Sequence, residues 1–340
     1  MAQVATEVHV SQWGNDPSGH RPFAAATALL GDPAALRRRM HEDGYLYLPG
    51  LLDAAELTPL RADILGACAA HGWLAPGTPL LDGVARGPQR LEGDPAYFEV
   101  YDDVQRLERF HRLRHHPKLT ALLGSLFDAP LFPHPLAVCR LAFPKAAEHA
   151  TPPHQDYPNN QGGFDTYAAW MPLGPCPRDL GSIALLQGSH RFGLLPMRAS
   201  RGAGNRTTMP RADLEALPWV SGDFAAGDVL VFHSLTVHRS LANRAADRLR
   251  VSVDYRYSAL GEPVTDMVLR PHFSRLDWGD VYAGWQSRAG CYYWRDLPLQ
   301  VVPFVVPPPV DPLELVQAAT PAAGSWWPRA WSRLRGRGAA

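Results

Sequence analysis

Two separated stretches carry side chains whose types and spacing suit a metal ion. The first is Thr151-Pro152-Pro153-His154-Gln155-Asp156-Tyr157-Pro158. In an extended chain residues i and i+2 point to the same side, so His154 and Asp156 are expected to face one point. The second lies well downstream, where Gly227-Asp228 turns into the apolar run Val229-Leu230-Val231-Phe232, followed by His233 and His238. Two imidazoles and a carboxylate form the facial donor set that suits non-haem Fe(II) and leaves positions open for a co-substrate and O₂. His238 is the expected third ligand. His233, of opposite strand parity, is expected to pack or bond locally.

A His-x-Asp pair alone is a weak signal, because His41-Glu42-Asp43 repeats it at the end of an amphipathic helix, where i and i+2 diverge. The downstream residues carry more. Arg250 and Ser252 follow on the next strand, two apart and hence on one face. A 2-keto acid that chelates the metal at one end needs a fixed cation for its distal carboxylate, and a guanidinium matches a carboxylate bidentately. That reasoning points to 2-oxoglutarate, clamped by Arg250 with Ser252 as a further donor. A carboxylate at Asp156 argues against a halogenase, in which a small residue there would open a halide site.

These residues need a frame to hold them. Asp32-Pro33 opens a short amphipathic helix that Gly44 ends; Tyr45–Leu48 follows as a strand; Asp53 and Glu56 have capping-box spacing for another helix. A further helix is expected from Pro117, since proline suits a first helical position. From about Pro133 short β-rich segments alternate with Gly/Pro turns: Leu136–Phe143, Tyr167–Leu173, Ser182–Leu186, Asp228–Phe232 and Arg248–Tyr257. That rhythm predicts an antiparallel sandwich or barrel. The Arg-, Gly- and Pro-rich stretch 198–218, with Arg198, Arg201, Arg206 and Arg211, reads as a long loop over one end of the barrel, a lid.

Composition narrows the function classes. The 340 residues are 46% hydrophobic and 19% charged, enough for a sizeable core. Lys+Arg and Asp+Glu are both 33, which does not favour nucleic acid. Cys68, Cys139, Cys176 and Cys291 are scattered without a C-x-x-C pair, as expected of reduced thiols in a cytoplasmic protein. No secretory leader and no membrane-spanning run is read from the sequence. Trp326, Trp327 and Trp331 interleave with Arg329, Arg333, Arg335 and Arg337 after Pro307; a loosely docked tail is the expectation there, with an interfacial membrane or partner-binding segment as its alternative. Oligomeric state is not legible.

The ordered set resembles the phytanoyl-CoA dioxygenase family of iron/2-oxoglutarate oxygenases over about residues 35–275. The resemblance is carried by Asp43–Gly50, His154-Gln-Asp156, Trp170, Gly181–His190, Gly227–His233, His238–Asn243 and Arg248–Asp254. It implies a mainly β fold with flanking helices, a double-stranded β-helix (jelly-roll, cupin-like) core. It also implies that Trp170 lines the 2-oxoglutarate pocket and that Ser240 helps bind the co-substrate. One domain is expected over 1–310, helical at about 30–130 and jelly-roll at about 133–275, with a tail over 311–340. The family's clamp arginine usually falls eleven residues after the distal histidine; here Arg248 is at ten and Arg250 at twelve. The Arg-x-Ser pattern favours Arg250.

The implied reaction is hydroxylation of an unactivated C–H bond in a small molecule, with 2-oxoglutarate converted to succinate and CO₂. Desaturation, epoxidation or cyclisation is the alternative within that chemistry. Outside it stand a non-oxidative metal enzyme and a non-catalytic binder on the same fold. The bland readings are a core role for Trp170, a solvated turn for His190 and Arg191, a strand salt bridge from Arg250 to Asp254, and no metal role for Gln155.

Overall fold

The computed structural model describes residues 17–305 except 201, 202 and 205. The Trp- and Arg-bearing stretch after Pro307, and Arg201, lie outside the described residues. The strands are β1 (Tyr45–Leu48), β2 (Leu131–Ala142), β3 (Tyr167–Pro172), β4 (Ile183–Leu186), β5 (Met197–Ala199), β6 (Arg206–Thr208), β7 (Trp219–Ser221), β8 (Val229–His233), β9 (His238–Ser240), β10 (Arg250–Ala259), β11 (Val264–Thr265) and β12 (Val301–Val302). The helices are α1 (Pro33–Asp43), α2 (Ala54–Ala70), α3 (Pro95–Arg106), α4 (Glu108–Arg112), α5 (Pro117–Gly124), α6 (Tyr157–Asn160) and α7 (Trp278–Tyr282). Helix and antiparallel sheet are mixed.

Two sheets carry the architecture. The larger runs β1-β8-β3-β10-β2 and the smaller β7-β4-β9, with every neighbour antiparallel. Alternation along β10 assigns its two faces. Val251, Val253, Tyr255 and Tyr257 join a core with Leu60 and Ile64 of α2 and with Val100 and Val104 of α3. Truncating Ile64 there to alanine is expected to cost about 2–5 kcal/mol. On the other face Asp254 stands opposite Trp170 of β3. Trp170 packs with Leu230 and Phe232 of β8, with Ile183 and Leu185 of β4 and with Val220 of β7. That second core lies between the sheets, and the even-numbered side chains of β10 point toward it.

The local signals for the N-terminal elements have physical counterparts. Asp32 caps α1 by accepting from Ala35 N at 3.0 Å, and Asp53 and Glu56 form the capping box of α2. Gly44 closes α1 with φ 78°. A Cβ at Gly44 would stand 2.4 Å from His190 Nδ1 and 2.7 Å from Thr236 Oγ1, so only glycine fits.

Three expectations are corrected. β2 begins at Leu131, five residues before the expected start, and runs through Pro133 and Pro135. Being at the edge of its sheet, it tolerates prolines that donate nothing to the ladder. β10 begins at Arg250 and extends to Ala259, because the Arg248 carbonyl is taken by the Asn243 side-chain amide at 2.8 Å. The stretch 198–218 is not one structureless loop: β5 and β6 pair as a hairpin, and a 3₁₀ turn spans Ala212–Leu214. Among the described residues no helix is long and apolar enough to cross a membrane.

Candidate metal centre

His154 and His238 are brought together by the main chain before their side chains contribute. His154 N donates to His238 O at 2.9 Å and His238 N returns the bond to His154 O at 2.9 Å. Such a hydrogen-bonded antiparallel pair puts both side chains on one side, and the ring centroids stand 4.1 Å apart. The β5–β6 hairpin holds the incoming segment, with Thr208 N and Thr207 Oγ1 donating to Pro153 O at 2.7 and 2.8 Å. Gln155, between the two candidate ligands, is fully buried and points away from them. Its amide bonds Gly193 O, Leu235 O and Leu195 N, tying three strands of chain into the wall behind the site.

Asp156 reaches the same point by a different local structure from the expected strand. Only His154 is in a β-bridge; Asp156 has φ −72° and ψ −31° and begins the single turn α6. Pro158 just inside that turn fits a helix start and not a continuing strand. Oδ1 of Asp156 lies 3.7 Å from Nε2 of His154 and 3.7 Å from Nε2 of His238. One donor atom from each residue falls within 4.8 Å of the others. Among the described residues this is the group of His, Cys, Asp and Glu side chains that could hold a metal ion.

The tautomers suit ligation. Nδ1 of His154 is 2.8 Å from Pro152 O and Nδ1 of His238 is 3.0 Å from Thr236 O, so each Nδ1–H donates to a carbonyl two residues back. Both Nε2 lone pairs are thereby turned to the common point. Burial, and secondarily the neighbouring His238 ring, push His154 down to about 3, and burial lowers His238 as well. Burial would raise Asp156, but the Arg256 guanidinium and then the two histidines hold it below the usual carboxylate range. Neutral imidazoles and an ionised carboxylate are the forms that bind a divalent cation.

The anion-binding candidates sit on the inter-sheet face of β10. Arg250 is buried, and its Nη1 donates to Gly181 O at 2.7 Å, while its Nε has no protein partner. Ser252 Oγ is likewise buried without a partner. Two buried polar groups left unpaired on one strand face fit a ligand that supplies acceptors. Arg248 instead lies at the surface, beside Asp82 and Asp247. Ser240 follows His238 by two residues on β9 and lines a cavity of about 60 Å³ with Arg250 and Arg140. Trp170 is buried in the second core, its ring edge-on to Phe224 at 4.9 Å. His233 accepts from Leu235 N at 3.0 Å and reaches across to Asp165, 68 residues away in sequence, at 3.2 Å. His190 Nε2 lies 3.0 Å from His41 O.

Sequence reasoning missed Arg256. Its Nε and Nη2 donate to Asp156 Oδ2 at 3.2 and 2.9 Å, and its Nη1 to Asp254 Oδ1 at 2.6 Å. Asp254 therefore pairs with Arg256, not with Arg250. The signal was present in the alternation: Arg250, Ser252, Asp254, Arg256 and Ser258 occupy every second position of a strand whose other positions are apolar or aromatic.

Known proteins resemble this chain over roughly two-thirds of its length. The profile of the family described as phytanoyl-CoA dioxygenase matches residues 40–251. A 1-deoxypentalenic acid 11-beta-hydroxylase of Streptomyces arenae is 31% identical over 252 residues, covering 69% of this chain and 84% of that protein. The protein of the same name from Streptomyces exfoliatus is 29% identical over 251 residues, with the same shares. Among solved structures, the epimerase SnoN from nogalamycin biosynthesis, in complex with Fe3+, alpha-ketoglutarate and nogalamycin RO, is 26% identical. That match has a TM-score of 0.49 and covers 67% of this chain and 85% of SnoN. The chain belongs to the phytanoyl-CoA dioxygenase family and is an iron(II)- and 2-oxoglutarate-dependent oxygenase.

Proposed function

We propose that the protein hydroxylates an unactivated C–H bond of a small molecule, as a tailoring step in natural-product metabolism. Nε2 of His154, Oδ1 of Asp156 and Nε2 of His238 hold Fe(II). Arg250 and Ser252 take the distal carboxylate of 2-oxoglutarate, Ser240 adds a hydroxyl at the co-substrate, and Trp170 walls its pocket. The two sheets are the halves of a double-stranded β-helix within one catalytic domain spanning 1–310. The observation that carries this reading is the pair of unpartnered buried groups, Arg250 Nε and Ser252 Oγ, on the strand that also reaches the three-ligand cluster. The natural-product context is supported by the names of two relatives, both 1-deoxypentalenic acid 11-beta-hydroxylases. Four unpaired cysteines accord with a reducing, cytoplasmic setting.

With iron and 2-oxoglutarate bound, O₂ provides the oxidising power that converts C–H to C–OH and leaves succinate and CO₂. The chain's own part is placement. The two backbone-held imidazoles and the anionic Asp156 would hold the metal, and Arg250 would set the reach of the co-substrate. The apolar residues between the sheets keep bulk water from the reacting face.

Anaerobic titration with Fe(II) and 2-oxoglutarate tests the assignment. A weak visible charge-transfer band is expected in the wild type and absent from His154→Ala and His238→Ala. A wild-type protein without the band, or variants that keep it, would overturn the reading. A succinate-release screen over a panel of terpenoid and polyketide metabolites then identifies the substrate class.

A further inference from the structure

The carboxylate of Asp156 has its two oxygens assigned to different tasks. Oδ1 faces the histidines, 3.7 Å from each Nε2. Oδ2 turns away and accepts two hydrogen bonds from one guanidinium, Arg256 Nε and Nη2. An sp² carboxylate oxygen offers two lone-pair directions, so this pair of bonds fills Oδ2. The third arm of the fork, Nη1, is occupied by Asp254 Oδ1, which fixes the plane of Arg256. Both ends of the pair are buried, at 5% side-chain exposure each, so water does not compete for either bond. Arg256 in turn is held from one side by β3, where Ala168 stands opposite it, and lies where the β2 ladder shifts register between Tyr255 and Tyr257.

Denticity matters to this reaction. A facial triad with a one-oxygen carboxylate leaves three positions on an octahedral metal, two for the keto acid and one for O₂. A two-oxygen carboxylate would take one of them. We propose that Arg256 is a positioning residue that holds Asp156 to one-oxygen ligation and so preserves the position at which O₂ enters, with Asp254 as the counter-charge that orients it. This rests on the iron reading above and deepens it.

The test uses Mn(II), which binds such sites without redox chemistry, and counts exchangeable metal-bound waters by water-proton relaxivity. Wild type is expected to carry three. In Arg256→Met, Oδ2 is released to the metal; the water count falls to two and relaxivity to about two-thirds of wild type, while Mn(II) is still bound. Arg256→Lys restores one bond to Oδ2 and is expected to recover most of the lost relaxivity. Three waters in a folded, Mn(II)-binding Arg256→Met protein would overturn the proposal. Should Arg256→Met not fold, a crystal structure of the Mn(II)-loaded wild type decides. Asp156 bound through Oδ1 alone with Oδ2 on Arg256 supports the proposal, and a two-oxygen Asp156 or a displaced Arg256 sinks it. Wild-type protein with no Mn(II) binding lost in His154→Ala would instead remove the iron reading itself, and this inference with it.

Discussion

The inward face of β10 carries two buried arginines, and they live under opposite conditions. Arg256 is saturated: its fork bonds two carboxylates, Asp156 and Asp254. Arg250, three pleat repeats away, has a backbone carbonyl on one nitrogen and nothing on Nε. The contrast separates what the fold completes by itself from what a ligand must complete. The proposed metal end is preorganised by protein–protein bonds, including the two backbone-held imidazoles. The proposed co-substrate end is left short of acceptors, at a cost in folding free energy that a bound carboxylate would recover.

The most severe way to break this contrast is Arg256→Met in the metal-free protein. Removing one partner of a buried charge cluster strands Asp156 and Asp254, and a loss of about 3–5 kcal/mol is expected. Chemical denaturation of the metal-free wild type and variant measures it. A change below about 1 kcal/mol would show that water or another group already supports these carboxylates.

Next in size is Arg250→Ala, read through the co-substrate. Losing charge-assisted bonds to a carboxylate forfeits about 2–3 kcal/mol, so the apparent Kd for 2-oxoglutarate should rise roughly 30- to 160-fold. Arg248→Ala, a surface residue paired with Asp82, should change it less than about twofold. Titration of the charge-transfer band with 2-oxoglutarate compares them, and the reverse ranking would put the clamp at Arg248.

How much of this contrast the sequence discloses depends on how local each determinant is. His154, Asp156 and His238 stand in short segments with their own punctuation, prolines on one side and an apolar strand on the other. The caps at Asp32, Asp53 and Gly44 likewise act within a few residues. Arg256 stands out in the alternation of β10, but its partnership with Asp156 is not legible, because the two are 100 residues apart and Asp156 sits at the start of α6, outside the sheet that holds Arg256. The α6 turn at Asp156 was masked by the family's strand-like His-x-Asp habit, although Pro158 announced it. Helix α3 carries local signals of its own, Asp94-Pro95 at its start and an apolar stripe at Tyr97, Val100, Tyr101 and Val104. The β5–β6 hairpin lies in an Arg- and Gly-rich stretch with no alternating pattern, and its strands exist because Pro153 and its own partner supply the bonds.

A smaller effect comes from His134, which extends the buried polar face beyond Arg256 and bonds Ser258 Oγ at 2.9 Å. Burial, with Arg256 and Arg114 nearby, lowers it to about 3. An unfolded histidine titrates near 6.5, so below that pH the unfolded chain binds a proton that the folded protein refuses. Stability is therefore whole above about 6.5 and falls as the pH drops toward 3, by about 1.4 kcal/mol per unit from this residue. Unfolding free energies at pH 7 and pH 5 should differ less in His134→Gln than in wild type. An unchanged slope would show that His134 is protonated in the fold.

The smallest expected effect is also the one that states the contrast most sharply. Arg250→Met keeps the apolar stem and removes a buried cation with an unpaired Nε, so the ligand-free protein should gain about 1 kcal/mol. The same variant cannot use 2-oxoglutarate as wild type does. At a ligand concentration one hundred times the wild-type Kd, wild type gains about 2.7 kcal/mol, most of which Arg250→Met would forgo. Thermal unfolding without ligands should therefore rank Arg250→Met above wild type, and unfolding with Mn(II) and 2-oxoglutarate should reverse the order. If Arg250→Met is the less stable protein in both conditions, Arg250 is a structural residue like Arg256, and the two ends of β10 are not different in kind.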